Sequence, residues 1–418
     1  MSFSQALSGL NAAQSTLGVL GNNIANSQTV GFKGSSSQFA DVFANSMVGM
    51  GARVADVKQD FTEGNLESTN RNLDLAVAGN GFYRFEQEGE VVYSRNGQLT
   101  LTPDGYLENA SGARIMGYGI GADGQVQLGG QVQVMTVPAD EMPASATTMV
   151  NTTFNLDARE QGGQRLSSST LNDGAGGTVD INYHYSNTFS VFDSLGNARN
   201  VSAFYEKVGD NSWQVKLSMD GRALGGATPT TYEMEFSAAG LLQTGVGDIN
   251  AEGRIAGINF DNGLFDLGGA DDIDFDLTLM GSTQFGNTST TSSLNQDGFT
   301  SGALIGITVR EDGTVMRNYG NEQSRPAGQI ALANFRNPEG LKPVGDNAWV
   351  ATNRSGQELV GSPGTGMLGS IVAGAVETSN VDMAKQLVDM IVAQRAYQAN
   401  SQTIKTQDDV LQTAINLR

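Results

Sequence analysis

Apolar residues follow two patterns along this chain: helical stripes at both ends, and a period of two between them. In residues 378–418, Met383, Leu387, Met390, Gln394, Tyr397, Ser401, Ile404, Asp408, Leu411 and Ile415 recur alternately four and three residues apart, a heptad repeat. One row (Met383, Met390, Tyr397, Ile404, Leu411) is apolar throughout, whereas the other is apolar only at its ends, Leu387 and Ile415. Ser379, Asn380, Val381 and Asp382 supply a cap and an acidic first turn. No Gly or Pro interrupts residues 381–418, so the pattern predicts a helix of about 57 Å. A helix cannot bury such a stripe by itself. Residues 2–27 predict a second helix, with Phe3, Leu7, Leu10, Leu17, Leu20 and Ile24 on one face and Ala6 and Ala13 beside them. Gly9, Gly18 and Gly21 each weaken it by roughly 1 kcal/mol relative to Ala. Marginal alone, this helix is the natural partner of the C-terminal stripe.

The run Asn22, Asn23, Ile24, Ala25, Asn26, Ser27, Gln28, Thr29, Val30, Gly31, Phe32, Lys33 closes the first helix with residues favoured at caps and turns. Residues 34–72 are rich in Ser, Gly and Asn with scattered apolar positions (Phe39, Val42, Phe43, Met47, Phe61, Leu66), the pattern of an extended arm without a core of its own. From Leu73 the apolar positions alternate, and turns such as Pro103, Asp104, Gly105 separate short strands. A polar linker at residues 138–145 marks a boundary, and a second β-rich stretch follows. The expected fold is multidomain, α plus mostly β. It comprises a helical coiled-coil domain (1–27 with 377–418), a linker arm (28–72 with 366–376), an inner antiparallel β domain (73–145 with 291–365), and an outer antiparallel β domain (146–290) inserted in the inner one. The polar, Gly-rich joints near 138–145, 286–302 and 361–374 are expected to be flexible.

Composition narrows the functions. The chain of 418 residues carries a net charge of −20, against a nucleic-acid binder relying on phosphate contacts and against a basic membrane-surface helix. The ends are near neutral: residues 1–72 and residues 377–418 each hold four basic and five acidic groups. No apolar run approaches the eighteen residues of a membrane span. The N-terminal Met1, Ser2, Phe3, Ser4, Gln5, Ala6 lacks the pattern of a cleavable secretory signal. With no cysteine, disulfides and thiol catalysis are excluded.

Candidate chemistry is sparse. Gly364, Thr365, Gly366, Met367, Leu368, Gly369 match G-x-G-x-x-G, but Pro363 interrupts the approach and Asp389, at the offset of the acidic partner, lies mid-helix; a flexible hinge is the preferred reading. His184 is the single histidine and sits in a strand pattern, so a His-based metal cluster or a Ser–His pair cannot form. Asp271, Asp272, Asp274 and Asp276 lack the Gly and terminal Glu of a calcium loop; alternation puts Asp272, Asp274 and Asp276 on one strand face, and a solvated acidic face is preferred over a weak Ca2+ site. No catalytic constellation, metal site or cofactor site emerges, and the expectation is a protein that is not an enzyme.

Three blocks carry a family resemblance. Ser8, Gly9, Leu10, Asn11, Ala12, Ala13 through Asn22, Asn23, Ile24, Ala25, Asn26 to Gly31, Phe32, Lys33 resemble the signature shared by bacterial flagellar rod and hook proteins. Asn72, Leu73, Asp74, Leu75, Ala76, Val77, Ala78, Gly79, Asn80, Gly81, Phe82 are similar to that family's second block. Ser379, Asn380, Val381, Asp382 with residues 390–397 and 403–408 are similar to its third. Residues 146–290 resemble the extra domain carried by the hook branch and absent from the shorter rod proteins. The resemblance implies a structural subunit that polymerises with itself into a curved, flexible tube carrying motor torque from rod to filament. It implies terminal helices at the inner wall, the inner β domain at mid-radius and the inserted domain outermost. It further implies extracellular assembly in the hook after type III export without a cleaved signal. The implied partners are the distal rod protein, the hook cap protein, the hook–filament junction protein, the export apparatus and the hook-length control protein, with neither nucleic acid nor membrane insertion. Alternatives are a distal rod protein, a straight driveshaft of the same family, and a surface adhesin.

Overall fold

A computed structural model describes residues 3–42, 51–122 and 124–416. The chain divides into two compact units. The first comprises Met1–Ala139, Ile305–Asn318 and Ser324–Arg418; the second comprises Asp140–Leu304 and Tyr319–Gln323. The described residues are mostly strand, with helix α1 (Phe3–Ala25), a single turn α2 (Asn262–Phe265) and the long helix α3 (Met383–Asn416).

In the first unit, the main sheet runs in the order Leu304–Val309, Thr314–Tyr319, Ser324–Ile330, Arg114–Tyr118, Phe82–Gln87, Glu90–Ser94, Ala348–Val350, Lys342–Gly345. Alternation explains why its central strands are buried on both faces. In Phe82–Gln87, Tyr83 and Phe85 enter one cluster with Leu75, Leu99, Ile115 and Ile330. The neighbouring Phe82 enters another with Tyr93, Phe335 and Trp349, onto which Phe61 packs edge-on at 5.4 Å. The register Tyr83↔Ser94 and Phe85↔Val92 keeps these faces in phase.

The second unit holds a five-stranded and a seven-stranded sheet that share one core, including Phe154, Tyr205, Trp213, Leu217, Phe260 and Phe275. Trp213 is fully enclosed, and its indole N–H donates to Gln284 Oε1 at 2.5 Å. This unit is not purely antiparallel as expected: Met149–Asp157 pairs parallel with Ile273–Thr278 and Thr283–Phe285, and antiparallel with Thr290–Gln296. A parallel neighbour requires a long crossover. Most of the unit, including the seven-stranded sheet, lies between residues 157 and 273.

Three further expectations change. Residues 34–72 are not simply extended: Ser35–Asp41 and Ala52–Gln59 form an antiparallel hairpin that contributes no fully buried apolar residue. Its side chains are too polar for a period-two pattern to show. Phe43 and Met47 lie outside the described residues. In the segment 366–376, Ser370–Ala373 pairs with Asp74–Ala78, and Ile371 is completely buried in the core. The glycine run before it is a closed turn, with Gly364 N–H donating to Gly369 O at 2.9 Å and Gly369 N–H to Asn80 O at 2.7 Å. Residues 138–145 are also tied rather than loose, Met142 and Gly302 exchanging two backbone hydrogen bonds of 2.8 and 3.0 Å.

Candidate assembly surface

Helices α1 and α3 pack antiparallel. The Asn23 side chain donates to Gln386 Oε1 at 3.1 Å near one end, and a β carbon at Gly9 would sit 2.9 Å from the Asn400 amide near the other. On α1 the buried positions Ala6, Ala13 and Leu20 are seven apart, joined by Asn23. Small residues there (Gly9, Ala13, Thr16) let the helices approach closely. On α3 the facing row is Gln386, Ala393, Asn400 and Gln407, of which Ala393 is buried and the rest half-buried.

The predicted stripes therefore divide. Leu10, Leu17, Ile24, Met390 and Ile404 are half-buried along this seam. Phe3, Leu7, Met383, Leu387, Tyr397, Leu411 and Ile415 remain exposed in the single chain. The second row of α3 lies one residue earlier than Leu387, Gln394, Ser401, Asp408 and Ile415, because a close helix pair selects small side chains rather than large ones. Leu387, Val388, Ile391 and Val392 are left as an uncovered apolar patch. Beside it, Ala12, Thr16 and Val19 of α1, Val392 and Ala396 of α3, and Phe39 line an open groove of about 560 Å3. Near the end of α3, Val410, Leu411 and Ile415 stand at 57%, 53% and 71% exposure.

The motif at residues 22–33 roots the helices. Asn26 Nδ2 donates back to Asn22 O at 3.0 Å, closing α1. Asn23 is almost fully buried and brackets Ser35, donating to its carbonyl at 2.8 Å and accepting from its N–H at 2.9 Å. Gly31 has φ of 70°, and a β carbon there would strike Asn96 N at 2.7 Å, so the turn excludes side chains. Phe32 is buried, and Ala25 is exposed at the helix end. Lys33 is wholly buried: its ammonium donates to Glu377 Oε1 and Thr62 O, both at 2.6 Å. Burial lowers the Lys33 pKa, with the Glu377 carboxylate working against that shift. Asn380 receives Gly34 N–H at 2.8 Å, and Asp382 caps α3 by accepting Lys385 N–H at 3.1 Å. Sequence reasoning missed Glu377 as the shared partner of Lys33 and Arg95, and Asn380 as the partner of Gly34. An acid ending the apolar run Ala375, Val376 was the available signal.

Elsewhere the polar candidates serve the fold. His184 Nδ1 accepts the Lys207 N–H at 3.0 Å, and Nε2 lies 3.0 Å from Gln164 O. Asp276 pairs with Arg254 at 3.0 Å, and Asp272 accepts Asn262 N–H at 2.8 Å. Among the described residues no group of three or more His, Asp or Glu is placed to hold a metal, and no helix is long and apolar enough to cross a membrane.

Four family models match in chain order: flagella basal body rod protein (residues 4–33), flagellar hook protein FlgE/F/G D1 domain (76–150), flagellar basal body protein FlaE D2 domain (155–299) and flagellar basal body rod FlgEFG protein C-terminal (372–417). The flagellar hook protein FlgE of Escherichia coli is 42% identical over 422 residues, covering all of both chains. The FlgE of Salmonella typhimurium is 42% identical over 424 residues, again covering all of both. That of Borreliella burgdorferi is 31% identical, covering 99% of this chain and 98% of its own. Among solved structures, the Helicobacter pylori flagellar hook protein FlgE2 aligns with a TM-score of 0.53 at 13% identity, covering 75% of this chain and all of the other.

Proposed function

The chain belongs to the flagellar hook protein family, and on that footing we propose how it builds a hook. It is a structural subunit of the flagellar hook. α1 and α3 act as a coiled-coil polymerisation element, their antiparallel pair forming within one subunit and their outward apolar rows packing on neighbouring subunits. The observation carrying this reading is the set of large apolar residues on α1 and α3 that the described residues leave exposed, from Phe3 and Leu7 to Leu387, Leu411 and Ile415. Burial of each stabilises an assembly by roughly 1.5–3 kcal/mol when complete. The polar seam positions Gln386, Asn400 and Gln407 weaken the lone pair and select its register. The termini accordingly order on polymerisation.

The tube so formed is curved and flexible and involves no catalytic step. It is built outside the cell from subunits exported by the flagellar type III apparatus. Assembly proceeds on the distal rod beneath a hook cap, under a length-control protein, and ends at the hook–filament junction protein. Electron microscopy of the purified chain at rising concentration tests the reading. Curved tubes are expected; straight rods would favour a distal rod protein, and persistent monomers at all concentrations would refute polymerisation. Circular dichroism should gain helical signal as tubes form.

A further inference from the structure

Glu377 is buried with its side chain fully enclosed, yet it touches three separate stretches of chain. Oε1 accepts from the Lys33 ammonium at 2.6 Å and from Gly64 N–H at 2.9 Å. Oε2 lies 3.0 Å from Arg95 Nε, and that guanidinium also donates to Gly81 O at 2.7 Å and Gly79 O at 2.9 Å. The backbone repeats the connection: Gly31 N–H donates to Glu377 O, and Thr378 N–H to Asn65 O, both at 2.8 Å. Leu66–Ser68 pairs with Ala375–Glu377 as a short antiparallel ribbon. One acid thus faces two buried cations, and the charges do not balance without it.

We propose that Glu377 is a positioning residue that clasps the N-terminal arm onto the C-terminal segment, so that α1 and α3 take up their places in a single event. The proposal rests on the reading of α1 and α3 as the polymerisation element. The arm residues 31–34 and 62–66 find their polar partners largely in residues 377–380, and those residues find theirs in the arm. Neither segment is complete alone. The two cations are unequal partners. Arg95 keeps two carbonyl acceptors when the carboxylate is gone, whereas Lys33 keeps only Thr62 O and lies where burial already disfavours its charge. Removing the acid is therefore worse than removing the lysine, and removing the lysine as well relieves the damage.

Disulfide trapping on the full-length subunit, which has no native cysteine, tests this without requiring assembly. Ser68→Cys and Ala375→Cys face each other across the ribbon, the spacing a disulfide accepts. Their oxidation rate reports how often the clasp is closed. Glu377→Gln should slow cross-linking about tenfold or more, Lys33→Met less than about threefold, and the double variant should recover most of the loss. Circular dichroism of the β units should be unchanged throughout. Cross-linking at the parent rate in Glu377→Gln overturns the proposal, as does further slowing when Lys33→Met is added. Tube formation by the same variants is scored separately. A parent chain that never polymerises refutes the assembly reading, while normal trapping rates in Glu377→Gln refute the clasp alone.

Discussion

Leu411 offers a direct measure of what the far end of α3 contributes to assembly. It is 53% exposed, so among the described residues nothing covers its outer half. Complete burial of a leucine contributes about 1.5–3 kcal/mol, which leaves roughly 0.8–1.5 kcal/mol to be gained from a neighbour. Leu411→Asp forfeits that gain and sets a carboxylate against an apolar surface, an added cost of about 1–3 kcal/mol. Together these come to roughly 1.8–4.5 kcal/mol, or about a 20- to 1,600-fold rise in the critical concentration for tubes. The lone subunit should change by less than about 0.5 kcal/mol, because the site is a solvated surface there. Pelleting assays across a concentration series, with thermal unfolding of the soluble subunit as control, read both quantities. Tubes forming at the parent concentration would refute the assignment of this turn to an intersubunit contact. An equal loss of subunit stability would refute the claim that its own chain leaves it bare.

Three further outcomes follow from other parts of the structure. Ala393→Leu forces a larger side chain into a buried position on α3, and should cost about 1–3 kcal/mol and lower helical content in tubes; unchanged ellipticity would show that α1 and α3 do not meet there. Gln284→Leu strands the buried Trp213 indole N–H and removes the donor to Asn211 Oδ1, so calorimetry should show the second unit destabilised by about 1–3 kcal/mol, and an unshifted transition would contradict that bond. Acid should also destabilise the second unit. Burial pushes the Asp193 and Asp297 carboxyls up, but donors outweigh it (Asn197 and Leu195 for Asp193, Thr148 and Met149 for Asp297), so both lie below the ordinary value. The unfolded chain then binds more protons in acid: their stabilisation is complete above about pH 4 and is lost as pH falls through the folded values. A melting temperature flat from pH 5 to pH 2.5, or the same acid slope in Asp193→Asn, would refute this.

Most of the fold was legible because local pattern and global packing agree. The alternation of Phe82–Gln87 and the uninterrupted run of α3 each name their element without help from elsewhere in the chain. The hairpin Ser35–Asp41 with Ala52–Gln59 was not legible, since its stability comes from α1 and the aromatic cluster rather than from an apolar face of its own. Gln59 reaches the Trp349 indole at 2.7 Å, and Ala52 N–H reaches Ser8 Oγ at 3.3 Å. The parallel pairs of Met149–Asp157 were hidden for another reason: strand direction depends on connections more than a hundred residues long, and no local period encodes it.

The helix stripes show where hydrophobic periodicity misleads about a site. A heptad search rewards large apolar side chains, so it selected Leu387 and Ile415 for the second row. Two helices that approach through Gly9 and Ala13 instead want Ala393, with neutral polar residues at Gln386 and Asn400 that can bond across the gap, as Gln386 does with Asn23. The large residues are then free for a different neighbour. A sequence that had to stabilise only one helix pair would place its leucines in that pair. This one places small and amide side chains there and turns Leu387, Val388, Ile391, Val392 and Leu411 outward, where a lone subunit gains little from them. If the outward rows pack on neighbouring subunits as proposed, the single chain holds a weak helical pair and the polymer the strong contacts, and helix formation in α1 and α3 is tied to assembly rather than preceding it.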